Sequence, residues 1–181
     1  MSRLTLLSLA FIAFLSVSAL NAQETPEVAA CADTIEWVDI NDALQRSVDE
    51  KKKILIDFYA DWCGWCKKMD KTTYADSAVI AYLNDNYLTV KLNPEKHGSV
   101  ELDGTTYSGR QFAQAMSVTG YPATGFINES NEVITLLTGY REAGQFLSVL
   151  RYIAEDHYLT ISFDEFLAMA DEPQAVPVPA E

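Results

Sequence analysis

Two cysteines separated by two residues constrain this chain more than any other feature. Cys63 and Cys66 directly follow an apolar, strand-like run, Ile54–Tyr59, and open a helical pattern. A cysteine at a helix N-terminus feels the partial positive charge of unpaired backbone N–H groups, which favours the thiolate. The thiolate is the form that attacks disulfides, and a second thiol one turn later can release the attacked partner. The spacing therefore predicts Cys63 as nucleophile and Cys66 as resolving thiol of a redox-active disulfide.

Three other interpretations of the pair remain open. A zinc site needs four ligands, and the further candidates Cys31, His97 and His157 form no second paired motif. A structural disulfide is disfavoured because a two-residue spacer closes a small ring that tends to be reducible. Simple burial is disfavoured because the turn is polar and contains glycine. The sequence predicts neither a metal nor a cofactor.

Composition excludes several classes of partner. The chain has 181 residues with 26 acidic and 13 basic side chains, a formal net charge of −13. No basic stripe is present to neutralise phosphates, so nucleic acid is not an expected partner. Binding to anionic lipid is equally disfavoured. The length suits one domain with additional terminal segments.

The N-terminal segment predicts export. Arg3 precedes the apolar run Leu4–Leu20, and small residues follow, so residues 1–22 are interpreted as a signal peptide cleaved near Ala22. An uncleaved membrane anchor is the alternative. Lipidation at Cys31 is disfavoured because acidic residues and a proline separate it from the apolar run. We expect the protein to be exported to the periplasm, with a soluble mature form whose cysteines work outside the cytosol.

Hydrophobic periodicity predicts one domain over residues 34–158, between a flexible lead-in (23–33) and a short helix (159–172) that a capping box at Ser162 opens. Residues 173–181 are proline-rich and are expected to be disordered. The predicted strands are 34–40, 54–60, 87–92, 123–128 and 133–138, and the predicted helices are 41–51, 63–74, 77–86, 111–116 and 144–158. Asp103-Gly104 predicts a separate β-hairpin within the segment 96–109.

The order of elements and several motifs resemble thioredoxins. Residues 54–67 are similar to the thioredoxin active-site stretch, with Trp65 in place of the family's proline, and Lys91–Asn93 is similar to the next central strand. Gly120–Pro122 resembles the loop that carries the family's cis-proline. The resemblance covers about residues 34–156. It implies an α/β thioredoxin fold: a central mixed β-sheet flanked by helices, here with a small hairpin insertion.

Within the family, the chain looks closest to exported thioredoxin-related proteins and to the C-terminal domain of periplasmic thiol–disulfide interchange proteins. Residues 60–63, Lys67, Lys71-Thr72 and Asp76 carry this likeness. The chain departs from the family at Ala123, where thioredoxins usually have threonine, and in the longer hairpin segment.

The resemblance implies a proton relay at Asp57. Thioredoxins carry an acid at this position that accepts the proton of the resolving cysteine, here Cys66. Burial would raise the pKa of such an acid and suit it to this task. The alternative is an acid that points to solvent. Lys91 is expected to neighbour Asp57 on the adjacent strand, or else to be an ordinary surface lysine.

Four residues are predicted to bind substrate. The resemblance implies that a cis Pro122 places the backbone of Tyr121 against the cysteine pair, where it can bond an extended chain. Trp62 and Trp65 flank the thiol and are candidates for an apolar docking rim. The alternatives are a simple turn proline and, particularly for Trp62, packing in the core.

The sequence predicts a thiol–disulfide oxidoreductase that reduces protein disulfides. Strongly oxidising relatives usually hold histidine between the cysteines, whereas this chain has Gly64 and Trp65. The expected partners are disulfide-containing protein substrates and a membrane electron donor, since the residues suggest no reductant site. A disulfide oxidase or isomerase, and a redox-inert peptide-binding module, are the alternatives.

Overall fold

The structure, a computed structural model, describes residues 33–171. The predicted signal peptide (1–22), almost all of the lead-in (23–32, with Cys31) and the proline-rich tail (173–181) lie outside the described residues. No helix among the described residues is long and apolar enough to cross a membrane.

A five-stranded sheet forms the centre of the domain, in the order β1-β3-β2-β6-β7. β1, β3 and β2 run parallel, whereas β6 is antiparallel to β2 and β7 is antiparallel to β6. The sheet is therefore mixed, as predicted. Its strands are β1 (Trp37–Val38), β2 (Lys53–Phe58), β3 (Tyr87–Leu92), β6 (Ala123–Ile127) and β7 (Val133–Thr138), and a separate hairpin consists of β4 (Ser99–Leu102) and β5 (Thr105–Ser108).

Helices cover both faces of the sheet. They are α1 (Ile40–Glu50), α2 (Gly64–Lys71), α3 (Ser77–Asn86), α4 (Gly109–Ala115), α5 (Ala143–Ala154) and α6 (Phe163–Asp171), with a 3₁₀ turn at His157–Leu159. Alternate residues of β2 serve opposite cores: Ile54 and Ile56 pack in the cluster that includes α1 and α4, and Leu55 packs in the cluster that includes α3 and α5. Because side chains alternate along a strand, Asp57 lies on the same face as Leu55.

The first strand is shorter than predicted, because side chains take over its backbone hydrogen bonds. Only Trp37–Val38 pairs with β3. The backbone N–H of Glu36 donates to Asn84 Oδ1, and Asn84 Nδ2 donates to the carbonyl of Thr34. These two bonds hold the preceding residues against α3 rather than in the sheet.

Helix boundaries differ from the predictions where a neighbouring side chain provides the cap. Asp39, not Asn41, caps α1 by accepting the N–H of Asn41. α2 ends at Lys71 rather than residue 74, where the hydroxyl of Thr72 bonds the carbonyl of Lys68. Asp76 caps the next helix by accepting two backbone N–H groups.

Two further helix ends were not placed correctly from the sequence. α4 begins at Gly109 rather than Gln111, because Ser108 and Gln111 form a capping box. α5 ends at Ala154, well before the predicted residue 158. The predicted capping box of the last helix is present: Ser162 and Glu165 bond each other's backbone and side chain.

The hairpin forms outside the central sheet, as predicted, but it is not a peripheral addition. Asp103 and Gly104 both have positive φ, as a type I′ turn requires. Asn41 joins the hairpin to α1, since its side chain donates to Ser99 O and accepts the N–H of Glu101. Val100 is 0% exposed and belongs to the core that includes α1 and α4. Shortening the hairpin would therefore remove part of this core packing and lower stability.

We predict that Val100→Ala lowers the free energy of unfolding by about 2 kcal/mol, because it removes two fully buried methyl groups and leaves a cavity. Urea denaturation would measure the change. Thr105→Ala, on the exposed end of the same hairpin, is the matched control and should change stability by less than about 0.5 kcal/mol. Equal stability of Val100→Ala and the control would show that the hairpin contributes no core packing.

Candidate redox site

The cysteine pair lies at the N-terminus of α2, as its position after the central strand predicts. Cys63 and Cys66 are joined by a disulfide, with their Cα atoms 5.3 Å apart. Cys63 is the N-cap residue, and its Sγ accepts the backbone N–H of Cys66 at 3.0 Å. In the reduced protein the same N–H and the helix dipole favour a thiolate on Cys63.

Accessibility does not distinguish the two cysteines. Each is 4% exposed, and both pack with Ala60 and against the partly buried rings of Tyr59 and Tyr121. What separates them is position, because only the sulfur of Cys63 caps the helix. The geometry therefore agrees with the predicted order of roles without testing it.

Two exposed aromatic pairs flank the disulfide. Trp62 is 68% exposed and contacts Tyr121 edge to face, with ring centroids 5.8 Å apart. Trp65 is 58% exposed and packs on Tyr140 at 5.5 Å. The alternative that Trp62 packs in the core is wrong, since its ring lies on the surface. Tyr140, in the loop after β7, was not predicted from the sequence.

The loop before β6 brings Tyr121 and Pro122 to the cysteines. The Tyr121–Pro122 peptide bond is cis, as the resemblance implies. The carbonyl of Pro122 accepts the N–H of Gly139, which joins the loop to the end of β7. Within the described part of the chain, neither backbone polar group of Tyr121 is hydrogen-bonded, so both are available to a docked chain.

Asp57 is buried beneath this surface, on the α2 side of the sheet. It is 2% exposed, and its Oδ1 has no hydrogen-bond partner among the described residues. Burial raises the pKa of Asp57 to about 7. The positive charge of Lys91 lowers this pKa, and the negative charge of Asp70 raises it further. The alternative of a solvent-facing acid is wrong. A carboxyl group that titrates near neutral pH can both hold and release a proton under working conditions.

Lys91 neighbours Asp57 on β3, so it is not an ordinary surface lysine. Its Nζ lies 3.7 Å from Asp57 Oδ2 and forms an ion pair with Asp70. Aromatic rings surround the ammonium, with centroids 5.2 Å away for Trp37 and 5.9 Å away for Tyr74. The site therefore holds a single cation between two carboxylates.

Sequence reasoning did not find Asp70 or Tyr74. Asp70 follows Cys66 by four residues and so shares its helix face, a spacing that could have identified it. Tyr74 lies beyond the end of α2, and burial raises its pKa well above the ordinary value. Its hydroxyl, like Asp57 Oδ1, has no hydrogen-bond partner among the described residues.

A cavity in the described domain lies away from the cysteines. It has a volume of about 890 Å³ and is bounded by β7, α5 and α6, with Ile134, Tyr152 and Phe163 in its lining. None of the predicted site residues contributes to it.

Comparison with known proteins shows the family. Residues 40–154 match the family model described as a thioredoxin-like domain. The chain belongs to the thioredoxin-like family. The match includes the cysteine pair, Asp57 and the cis-proline loop, and it confirms the predicted fold class.

Two curated proteins are similar to this chain over part of their own length. The chain is 31% identical over 114 residues to the thiol:disulfide interchange protein DsbD of Ralstonia nicotianae, covering 62% of this chain and 17% of that protein. It is 30% identical over 103 residues to protein disulfide isomerase-like 2-2 of Oryza sativa subsp. japonica, covering 57% of this chain and 24% of the relative. The chain thus spans a quarter or less of either protein.

A solved structure called DsbH oxidoreductase shares the fold, with a TM-score of 0.56 and 24% identity, covering 76% of this chain and 95% of that one. Family membership, the relatives and the Cys63–Cys66 pair together support the class of thiol–disulfide oxidoreductase.

We predict that Asp57→Asn stabilises the oxidised protein at high pH. The unfolded chain releases this proton near pH 4, whereas the folded protein releases it near pH 7. Between these values the folded state binds more protons, so Asp57 makes stability fall as pH rises. The advantage of the variant should grow from about pH 4 and reach about 1–4 kcal/mol at about pH 8.

Urea denaturation of oxidised parent and variant across this pH range would measure the difference. Asp85→Asn, on the exposed surface of α3, is the control and should show no such trend. A constant difference between Asp57→Asn and parent from low to high pH would mean that the folded carboxyl titrates like an exposed one.

Proposed function

We propose that this protein reduces disulfides of protein substrates. The observation that carries the proposal is the cysteine pair at the start of α2, where the sulfur of Cys63 accepts a backbone N–H of the helix. The buried acid Asp57, whose pKa is raised to about 7, lies on the α2 side of the sheet and supports it. The family relatives support the class of reaction. The direction of electron flow and the partners are part of the proposal.

The reaction proceeds by two exchanges. The Cys63 thiolate attacks one sulfur of a substrate disulfide, the substrate S–S bond breaks, and the other substrate sulfur leaves as a thiolate that takes up a proton. Cys66, deprotonated, then attacks the Cys63 sulfur of the mixed disulfide and releases the second substrate thiol. Two electrons pass to the substrate, and the protein is left with the Cys63–Cys66 disulfide.

Asp57 serves the second exchange in this proposal. Cys66 must lose its proton before it attacks, and a carboxylate with a pKa near the working pH is an effective base. Lys91 moderates the pKa of Asp57, because its ammonium favours the charged form against the effect of burial. The pKa of Asp57 therefore stays near 7, so that a fraction of the protein carries the carboxylate at neutral pH.

The aromatic rim and the proline loop bind substrate in this proposal. Trp62 and Trp65 offer exposed apolar surface on either side of the disulfide. The unpaired backbone groups of Tyr121, next to Pro122, can pair with an extended substrate segment as an added strand does.

Reduction is favoured over oxidation by the dipeptide between the cysteines. Gly64 and Trp65 carry no charge that would stabilise a thiolate further, and a less stabilised reduced form makes the dithiol a better electron donor. A disulfide isomerase is the second candidate, favoured by the likeness to the isomerase-like rice protein.

Export completes the proposal. The apolar N-terminal pattern of residues 1–22 supports secretion to the periplasm, where a membrane electron donor would re-reduce the Cys63–Cys66 disulfide. Disulfide-containing proteins are abundant in such compartments.

The two cysteine variants should behave differently. Cys63→Ser is expected to abolish reduction of insulin disulfides, because it removes the attacking thiolate. Cys66→Ser is expected to accumulate mixed disulfides with substrate, because attack proceeds but resolution cannot. Non-reducing electrophoresis and mass spectrometry would identify the adducts. Adducts formed by the Cys63 variant and absent from the Cys66 variant would reverse the assignment.

Asp57→Asn should slow resolution more than attack. In the parent, the rate at which Cys66 resolves a preformed mixed disulfide should rise with pH through about 7, as Asp57 becomes the carboxylate. The variant should lack this inflection, and Asp85→Asn should retain it. Stopped-flow measurement of the two exchange steps would separate them. The same pH profile in Asp57→Asn and parent would rule out the relay.

A further inference from the structure

Helix α2 presents an exposed row of lysines beside the redox pair. Lys67, Lys68 and Lys71 are all exposed, and none forms an ion pair with a described residue. The only acid of the helix, Asp70, directs its carboxylate to Lys91 instead. A protein with a net charge of −13 therefore carries a local excess of positive charge next to its disulfide.

Helix stability explains this row only in part. Lys68 and Lys71 lie in the last turn, where cations interact favourably with the helix dipole. However, the spacings Lys67–Lys71 and Lys68–Lys71 place like charges on neighbouring positions, which is unfavourable. α2 has no acid of its own on this face, although the charge of Lys67, with the stronger hydrogen bond from Lys96, helps to hold the pKa of Asp61 below its usual value. An external anion would relieve the repulsion that remains around Lys68 and Lys71.

The central lysine is held in position by the aromatic rim. Lys68 Nζ lies 4.9 Å from the ring centroid of Trp65 and 4.7 Å from that of Tyr140. The hydroxyl of Tyr140 in turn lies 3.2 Å from that of Thr72. An ammonium positioned between two rings loses less conformational freedom when it pairs with an anion than a free lysine does.

The opposite side of the disulfide differs in charge. There the Lys96 ammonium is paired with Asp61, and Trp62 Nε1 lies 3.5 Å from Glu95 Oε1. The surface around the cysteine pair is thus basic on the α2 side and mixed in charge on the Trp62 side, where the charge of Arg110 also acts on Tyr121. A substrate segment with negative charge is attracted to the first side and not to the second.

We propose that Trp65, Lys67, Lys68, Lys71 and Tyr140, here called the lysine–aromatic face, bind protein substrates whose disulfide is flanked by acidic residues. Carboxylates of the substrate pair with the lysines, and an apolar side chain beside them packs on the exposed rings. The inference rests on the proposed reduction of protein disulfides and adds a charge preference to it.

Three peptides that contain the same disulfide, flanked by glutamate, glutamine or lysine, would test the inference with the full-length reduced protein. At low ionic strength kcat/KM should be about fivefold or more higher for the acidic than for the basic peptide, since exposed pairs contribute modestly and here several act together. This ratio should approach one in about 0.5 M salt, where the Debye length is short.

Variants of Lys68 separate charge from packing. Lys68→Met keeps the length and apolar stem but removes the charge, so it should lower the acidic-to-basic ratio about threefold. Lys68→Arg should retain the ratio. Lys51→Gln, which removes one charge just before β2 and so at the opposite end of that strand from the cysteines, should also retain it. A purely structural role of Lys68 would change the rates for all three peptides equally and leave the ratio constant.

Two negative results are distinguishable. Equal kcat/KM for the three peptides, or an unchanged ratio in Lys68→Met, would overturn the charge preference while leaving disulfide reduction intact. Failure to reduce any of the peptides or the small neutral hydroxyethyl disulfide would overturn the proposed function and this inference with it.

Discussion

The enclosure of strand β2 is the constraint on which the site depends. All six of its residues are buried, between β3 on one edge and β6 on the other. This enclosure removes Asp57 from water and so raises its pKa. Cys63 follows the last residue of the strand, Phe58, by five positions. A polar group in such a position costs stability, which the ammonium of Lys91 offsets only partly. The same burial that weakens the fold at high pH gives Asp57 a pKa near 7, the value that the proposed proton transfer requires.

Chemistry and recognition are divided between different layers of the molecule. Asp57 lies inside and Lys91 is partly buried beside it, and the disulfide lies above them near the surface. Around it lie the exposed rings of Trp62 and Trp65 and the backbone of Tyr121, which are the groups proposed to contact substrate. The lysine–aromatic face adds positive charge to this surface, and under the proposal above it gives α2 and the loop after β7 a preference for acidic substrates without changes at the cysteines.

Features encoded locally could be predicted from the sequence, and features that depend on distant contacts could not. The cysteine spacing, the apolar central strand and the Asp103-Gly104 turn identified the fold and the pair, and the family resemblance pointed to Asp57 and Pro122. Tyr140 reaches Trp65 only because β7 ends beside α2, which no local pattern reveals. Likewise, Asn84 bonds the backbone of Thr34 and Glu36, which shortens β1. The side chain of Asn41 bonds the hairpin instead of capping α1. The burial of Val100 depended on how the hairpin packs against α1.

The standard reduction potential of the Cys63–Cys66 pair tests the central claim most directly. Equilibration of the purified protein with glutathione buffers, followed by quantification of reduced and oxidised forms, would give this value. A protein that donates electrons to disulfides should have a potential near that of thioredoxin, about −270 mV, because its dithiol is not specially stabilised. A value near about −120 mV, where a strong oxidant of folding proteins lies, would contradict the account.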